Sequence, residues 1–306
     1  MIGILAALTP VFAVILIGFV ARQGRLVPET FWQPAERFTF YVFFPALLVT
    51  SIARADFAGF AVAPMLTASV GGILVVVLAC LLPLRRWLGP DGPALTSLVQ
   101  SSVRPNVYVA LAAAAALYGA PGVALASLCL AVVVPVVNVV SVLALVRWGQ
   151  GQTPVSGWRG TLWPVAGNPL IVACLIGLAV NITGLGLPPL IEPTLDILGR
   201  ASLPIGLLAV GAGLELRAVR AAGRVVATAS ALKLIVLPVV TLSLCLALGA
   251  DDLARRIAVL LAAVPVSASA YVMARQMGGD TAVMAGAITA TTLAAAITMP
   301  LILFVI

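Results

Sequence analysis

The chain reads as two copies of one unit. Thr9-Pro10 faces Asn168-Pro169, Leu16-Ile17-Gly18 faces Leu175-Ile176-Gly177 and Pro45 faces Pro204 at an offset of 159; Pro105 then faces Pro265 and Gly119 faces Gly279 at 160. An offset held nearly constant for about 110 residues marks a duplication rather than chance. It also restricts the fold. If each unit crosses a membrane an odd number of times, the second copy lies upside down relative to the first, as in many secondary transporters.

That the units cross a membrane follows from composition. Hydrophobic residues fill 62% of the 306 positions, charged residues 9%, and mean hydropathy is +1.20. A soluble chain of this length does not tolerate such values. The net charge of +7 would suggest nucleic acid in a soluble protein. Here the arginines sit between apolar runs and read as topology signals, so no nucleic-acid partner is expected. Cys80, Cys129, Cys174 and Cys245 lie in apolar runs without metal-ligand spacing, which argues against disulfides and zinc alike. There is no histidine, and no catalytic triad, phosphate-cradling loop or zincin motif is found. Neither an enzyme nor a cofactor or metal is expected. The apolar run from Ile2 has no basic leader or cleavage pattern and reads as a retained span.

A helix needs about 20 mostly apolar residues to cross the bilayer core. Cutting at charged or Gly/Pro-rich stretches gives ten spans, at 3–21, 35–53, 62–84, 93–118, 121–146, 161–182, 189–214, 222–249, 255–277 and 281–305. The expected fold is therefore an all-α membrane protein of two inverted five-helix repeats, 1–149 and 161–306, joined by a cytoplasmic linker at 150–160. With both termini outside, the cytoplasmic side holds Arg22, Arg25, Arg37, Arg85, Arg86, Arg147, Arg159, Arg217, Arg220, Arg224 and Arg275, against Arg54, Arg255 and Arg256 outside. The positive-inside rule favours that orientation. Arg104, Arg200 and Lys233 then fall within spans.

Charge inside a membrane is costly, so each such residue is a functional candidate unless a partner is found. Arg200 has one in Asp196, four residues earlier on the same helix. Lys233 has none nearby in sequence. It can snorkel, bind carbonyls freed by a broken helix, or supply a fixed positive charge in place of a coupling cation. Span 4 carries the densest polar cluster, Gln100-Ser101-Ser102-Val103-Arg104-Pro105-Asn106-Val107-Tyr108, and span 9 carries its counterpart, Val264-Pro265-Val266-Ser267-Ala268-Ser269-Ala270-Tyr271. A proline inside a helix frees backbone groups for neighbours or a ligand. Two interrupted helices in equivalent positions point to a transporter's binding site. The alternative is a pair of ordinary kinks whose serines bond back to their own helices.

A guanidinium at the depth of Arg104 is best stabilised by a carboxylate or another bidentate acceptor. Spans 3, 4, 5, 8, 9 and 10 contain no acid away from their ends, so the missing anion is expected to be the substrate. Asn138 either completes that site or makes an interhelical hydrogen bond. Asn168-Pro169 suits the start of span 6, and Pro45 and Pro204 read as paired kinks.

These features resemble the auxin efflux carrier family, whose plant members are the PIN-type auxin exporters and whose bacterial members include carriers assigned to malate and malonate. The resemblance rests on Asn168-Pro169-Leu170, Leu187-Pro188, Leu203-Pro204-Ile205-Gly206-Leu207-Leu208, Arg104-Pro105-Asn106, Ala263-Val264-Pro265, Gly278-Gly279-Asp280 and Met299-Pro300, and covers essentially the whole chain. It implies the fold of sodium/proton antiporters and bile acid carriers, with broken helices 4 and 9 crossing at the substrate site. Spans 1, 2, 6 and 7 would form a scaffold, often a dimer interface, and spans 3–5 and 8–10 a mobile transport domain. Carried over by motif, Asn106 would contact the substrate carboxylate and Asn138 would assist. The family often has further prolines where this chain has Ala113 and Ala270, so the unwinding either centres on Pro105 and Pro265 or is milder.

The expected function is a multi-pass carrier of the bacterial inner membrane for a small organic anion such as malate, malonate or an auxin-like acid, working by alternating access. Arg104, Asn106, Tyr108, Asn138, Ser267, Ser269 and Tyr271 are the candidate contacts, Pro105 and Pro265 the crossover, and Lys233 a candidate coupling charge. The alternatives are a sodium- or proton-coupled exchanger of the same fold, with Lys233 titrating, and a membrane sensor that does not transport.

Overall fold

The computed structural model describes residues 2–57, 60, 62–150, 168–220 and 223–306. Among them the chain is helical, with one isolated bridge between Pro105 and Val266. The 150–160 linker (beyond Gln150) and the first residues of the expected sixth span lie outside the described residues.

Seven helices are long and apolar enough to cross a membrane: α1 (Ile2–Gln23), α2 (Glu29–Ala53), α3 (Val62–Leu88), α5 (Val107–Trp148), α7 (Ile191–Ala212), α9 (Arg224–Ala247) and α12 (Thr281–Val305). Shorter helices lie between them: α4 (Gly92–Val103), α6 (Pro169–Thr183), α8 (Leu216–Arg220), α10 (Asp252–Ala263) and α11 (Ser269–Met277). α5 has 42 residues, which if straight would measure about 63 Å at 1.5 Å per residue, twice the bilayer core. It does not run straight. Gly119 has φ 60° and ψ −148°, outside helical space and open only to glycine, and it divides the helix where the sequence separates spans 4 and 5.

Prolines shape several of the long helices. π-type turns occur at Thr39–Phe43, Cys80–Leu84 and Leu232–Val236, each containing or just preceding a proline: Pro45, Pro83 and Pro238. A proline offers no N–H and presses on the carbonyl four residues back, and a wider turn relieves both faults. Pro204 sits inside α7 without such a turn, so it and Pro45 differ locally.

The packing falls into two groups. α1 lies along α7, and α2 packs on both α6 and α7; α3 packs on α9, α10 and α5, while α12 packs on α4, α8, α9, α10 and α11. α1 shows why. Its buried residues Leu8, Val11, Ile15 and Gly18 form one stripe at helical spacing, and the remaining faces expose residues such as Leu16, Ile17 and Val20. An apolar surface of that kind suits lipid. The stripe ends where α1 and α7 nearly touch: a Cβ on Gly18 would strike the Leu208 carbonyl, and one on Gly211 the Ile15 carbonyl.

Candidate functional site

The site is built where two half-length helices, α4 and α10, give way to α5 and α11. α4 and α10 have 12 residues each, and each opens on an aspartate whose side chain caps it: Asp91 accepts from Ala94 N–H at 2.8 Å and Asp251 from Ala254 N–H at 2.9 Å. At 12 residues, about 18 Å, each reaches only partway across a bilayer. The chain then leaves the helix. Arg104 has φ −76° and ψ 113°, Val264 has φ −65° and ψ 153°, and the two extended segments meet antiparallel at Pro105 and Val266. Asn106 N–H donates to the Pro265 carbonyl at 2.9 Å, and Val266 N–H donates to Thr291 Oγ1 at 3.1 Å. Helix resumes at α5 and α11. Ala113 and Ala270 lie inside those helices, so the unwinding centres on Pro105 and Pro265.

The two buried cations take different partners. Lys233, fully buried in the π-type turn of α9, donates from Nζ to Ala262 O at 2.8 Å and Leu261 O at 3.5 Å. Those carbonyls end α10, where a helix has no intrahelical donors left and carries partial negative charge. Of the three readings of Lys233, snorkelling does not fit its complete burial. Arg104 is 8% exposed and donates to Asn138 Oδ1 and, at 3.4 Å, to Met273 Sδ. Both acceptors are neutral, and among the described residues the guanidinium has no anion.

A cavity of about 620 Å³ opens beside Arg104. Arg104, Pro105, Tyr108, Asn138, Ser267 and Ser269 all line it, and the two serine hydroxyls lie 3.0 Å apart. Four candidates do not. Asn106 is 1% exposed, and its Oδ1 caps α5 by accepting from Tyr108 N–H at 3.1 Å and Val109 N–H at 3.3 Å. The polypeptide restarts a helix at that residue, so the side chain goes to the orphan amides. Tyr271 packs against a cluster formed by Val266, Ala270, Ala274, Met284 and Ile288. Pro265 and Lys233 lie away from the cavity wall.

The α2 side of the cavity was not foreseen from sequence. Gln33, Glu36, Arg37, Phe40 and Tyr41 of α2 line it, as does Asn168, which also caps α6 by accepting from Leu170 N–H at 2.9 Å. Tyr108 bridges to that side. Its ring lies 4.8 Å from that of Phe44, and a Cβ on Gly206 would come within 2.7 Å of it.

A second cavity, of about 930 Å³, lies toward the other end of α2 and is lined by Arg54, Asp196, Arg200 and Pro121 among others. Here a sequence expectation is corrected. Asp196 pairs with Arg54 at 2.7 Å, not with Arg200, and Glu192 joins the same guanidinium at 2.6 Å. The end of α2 packs against α7, so Arg54's planar fork meets two carboxylates spaced i,i+4 on one helix face. The Asp196 hydrogen bond, then that of Glu192, raises the Arg54 guanidinium above its ordinary pKa. Arg200 is exposed and makes no ion pair among the described residues.

The profile of a family described as "Membrane transport protein" matches residues 3–156 and 159–303, nearly the whole chain. No curated protein matches it.

Proposed function

Because the chain belongs to the membrane transport protein family of auxin efflux carriers and is an integral multi-pass membrane protein, we propose that it is a secondary carrier for a small organic anion, held at the crossing of the two broken helices. One observation carries the reading: Arg104 is buried, lines a cavity of about 620 Å³ and has only neutral acceptors. A carboxylate entering the cavity would supply the charge that the guanidinium lacks, with Asn138 fixing the guanidinium and Ser267 and Ser269 offering hydroxyl donors. Asn106 acts through the helix it caps, setting where α5 begins.

The motion follows the packing. In this reading the chain makes ten crossings as two inverted halves; α1, α2, α6 and α7 form the scaffold, and the remaining helices carry the site past it. Two cavities toward opposite ends of α2 support such alternation, each lined by residues of both groups. Both termini would lie outside, and the apolar faces of α1 and α6 would serve lipid or a second copy. The substrate class is a carboxylate of the size of malate, malonate or an auxin-like acid.

Counterflow of labelled malate and malonate into proteoliposomes tests this. Wild type should exchange at least one of them, and Arg104→Ala should lose exchange while keeping its elution profile. Equal exchange by the two proteins would overturn the assignment.

A further inference from the structure

The anion cavity contains an acid. Among the described residues that line it, Glu36 is the only carboxylate; it comes from α2, whereas Arg104 comes from the break between α4 and α5. It is partly buried and makes no side-chain hydrogen bond or ion pair among the described residues. Tyr108 lines the same cavity.

The groups around it are few. On its own helix, Arg37 lies over the Tyr41 ring at 5.9 Å, and both line the cavity. From the crossing come Arg104 and Tyr108, while the cavity-lining residues of α6 and α11 have no titratable group. α7 packs on α2, but its Glu192 and Asp196 are engaged by Arg54 and its Arg200 lines the other cavity.

An ionised carboxylate on the wall of an anion site repels the anion, and both would compete for Arg104. Anion binding and proton binding at Glu36 are then linked: each favours the other by the same factor. Resting on the anion-carrier reading above, we propose that Glu36 is the proton site that couples transport, so that anion and proton cross together. A proton from solution bonds to a Glu36 carboxylate oxygen before or with anion entry and leaves from it on the other side. No other bond is made or broken. Arg104 stays charged throughout and serves the anion.

The test uses proteoliposomes with labelled malate and malonate, comparing counterflow at equal pH with uptake driven by an inward proton gradient. In wild type the gradient should accelerate net uptake by about tenfold or more. Glu36→Gln, fixed in the neutral form, should still carry out counterflow yet show no acceleration, and Glu36→Asp should restore it. A gradient response in Glu36→Gln equal to wild type would overturn the proposal, as would a wild type that exchanges but ignores the gradient. If Glu36→Gln loses counterflow as well, a Glu36→Asp variant equally inactive would make the residue structural and sink the idea, whereas restored gradient-driven uptake would support it. Wild type that exchanges neither acid would instead overturn the anion-carrier reading, and this inference with it.

Discussion

Arg104 and Lys233 are both cations buried near the crossing of the broken helices, and the fold treats them in opposite ways. Lys233 meets the two carbonyls that end α10, which satisfies orphan acceptors and sets an ammonium against the negative end of a helix. Arg104 meets an amide oxygen and a thioether and faces a cavity. One charge closes the end of α10; the other faces a cavity with only neutral acceptors among the described residues. The difference arises because the two breaks are not equivalent. The first carries charge on the extended segment itself, and the second carries only valine, proline, serine and alanine, with its charge brought in from α9.

The largest effect should come from Arg104. Losing one member of a charge pair in a desolvated site costs about 2–5 kcal/mol, so Arg104→Gln should weaken anion affinity by roughly 30-fold to several thousand-fold with little change in melting temperature. Arg104→Lys should recover only part of that, because an ammonium lacks the bidentate fork. Equilibrium binding of labelled anion to the purified protein measures both.

Lys233→Met should show the reverse pattern. It leaves the α10 carbonyls without a charged donor, a loss of about 1.5–3 kcal/mol, seen as a lower melting temperature in detergent. Affinity in the protein that remains folded should hold within about threefold. An affinity loss as large as that of Arg104→Gln would erase the contrast between the two cations.

Asn106 distinguishes capping from contact. Asn106→Ala should cost about 1 kcal/mol of stability through the lost cap, and Asn106→Ser, which still caps and adds no charge, should restore it. If Ser restores the fold but not binding, the amide nitrogen also reaches the anion. The smallest effects belong to the second cavity: Asp196→Asn should cost about 0.2–1 kcal/mol, as an exposed ion pair does, and Arg200→Ala should be neutral in thermal melts.

Much of the architecture was legible because it rests on periodicity and composition. The repeat offset marks Pro105 and Pro265, and those are the points where the helices break and meet. Gly119 marked the division of α5 for the same reason: a glycine between two apolar runs permits the positive-φ break seen there. Partners across helices were less accessible. Asp196 and Arg200 at i,i+4 make a sound local pair, but sequence spacing cannot report that α2 delivers Arg54 to the same aspartate. Asn106 reads as a ligand by carry-over of the family motif, and sequence does not show that its oxygen caps the helix that restarts there. Glu36 stands at the edge of the expected second span, beside Arg37, and sequence assigned it no role. Only the packing of α2 against the crossing places it on the wall that Arg104 lines.

The central claim is that Arg104 is held ready for an anion. Thermal-shift measurement of wild type, Arg104→Gln and Lys233→Met across a panel of small carboxylates tests it most directly. At least one acid should stabilise wild type and Lys233→Met alike and leave Arg104→Gln unmoved. A panel in which no acid stabilises wild type, or in which Arg104→Gln shifts as far as wild type, would contradict the account.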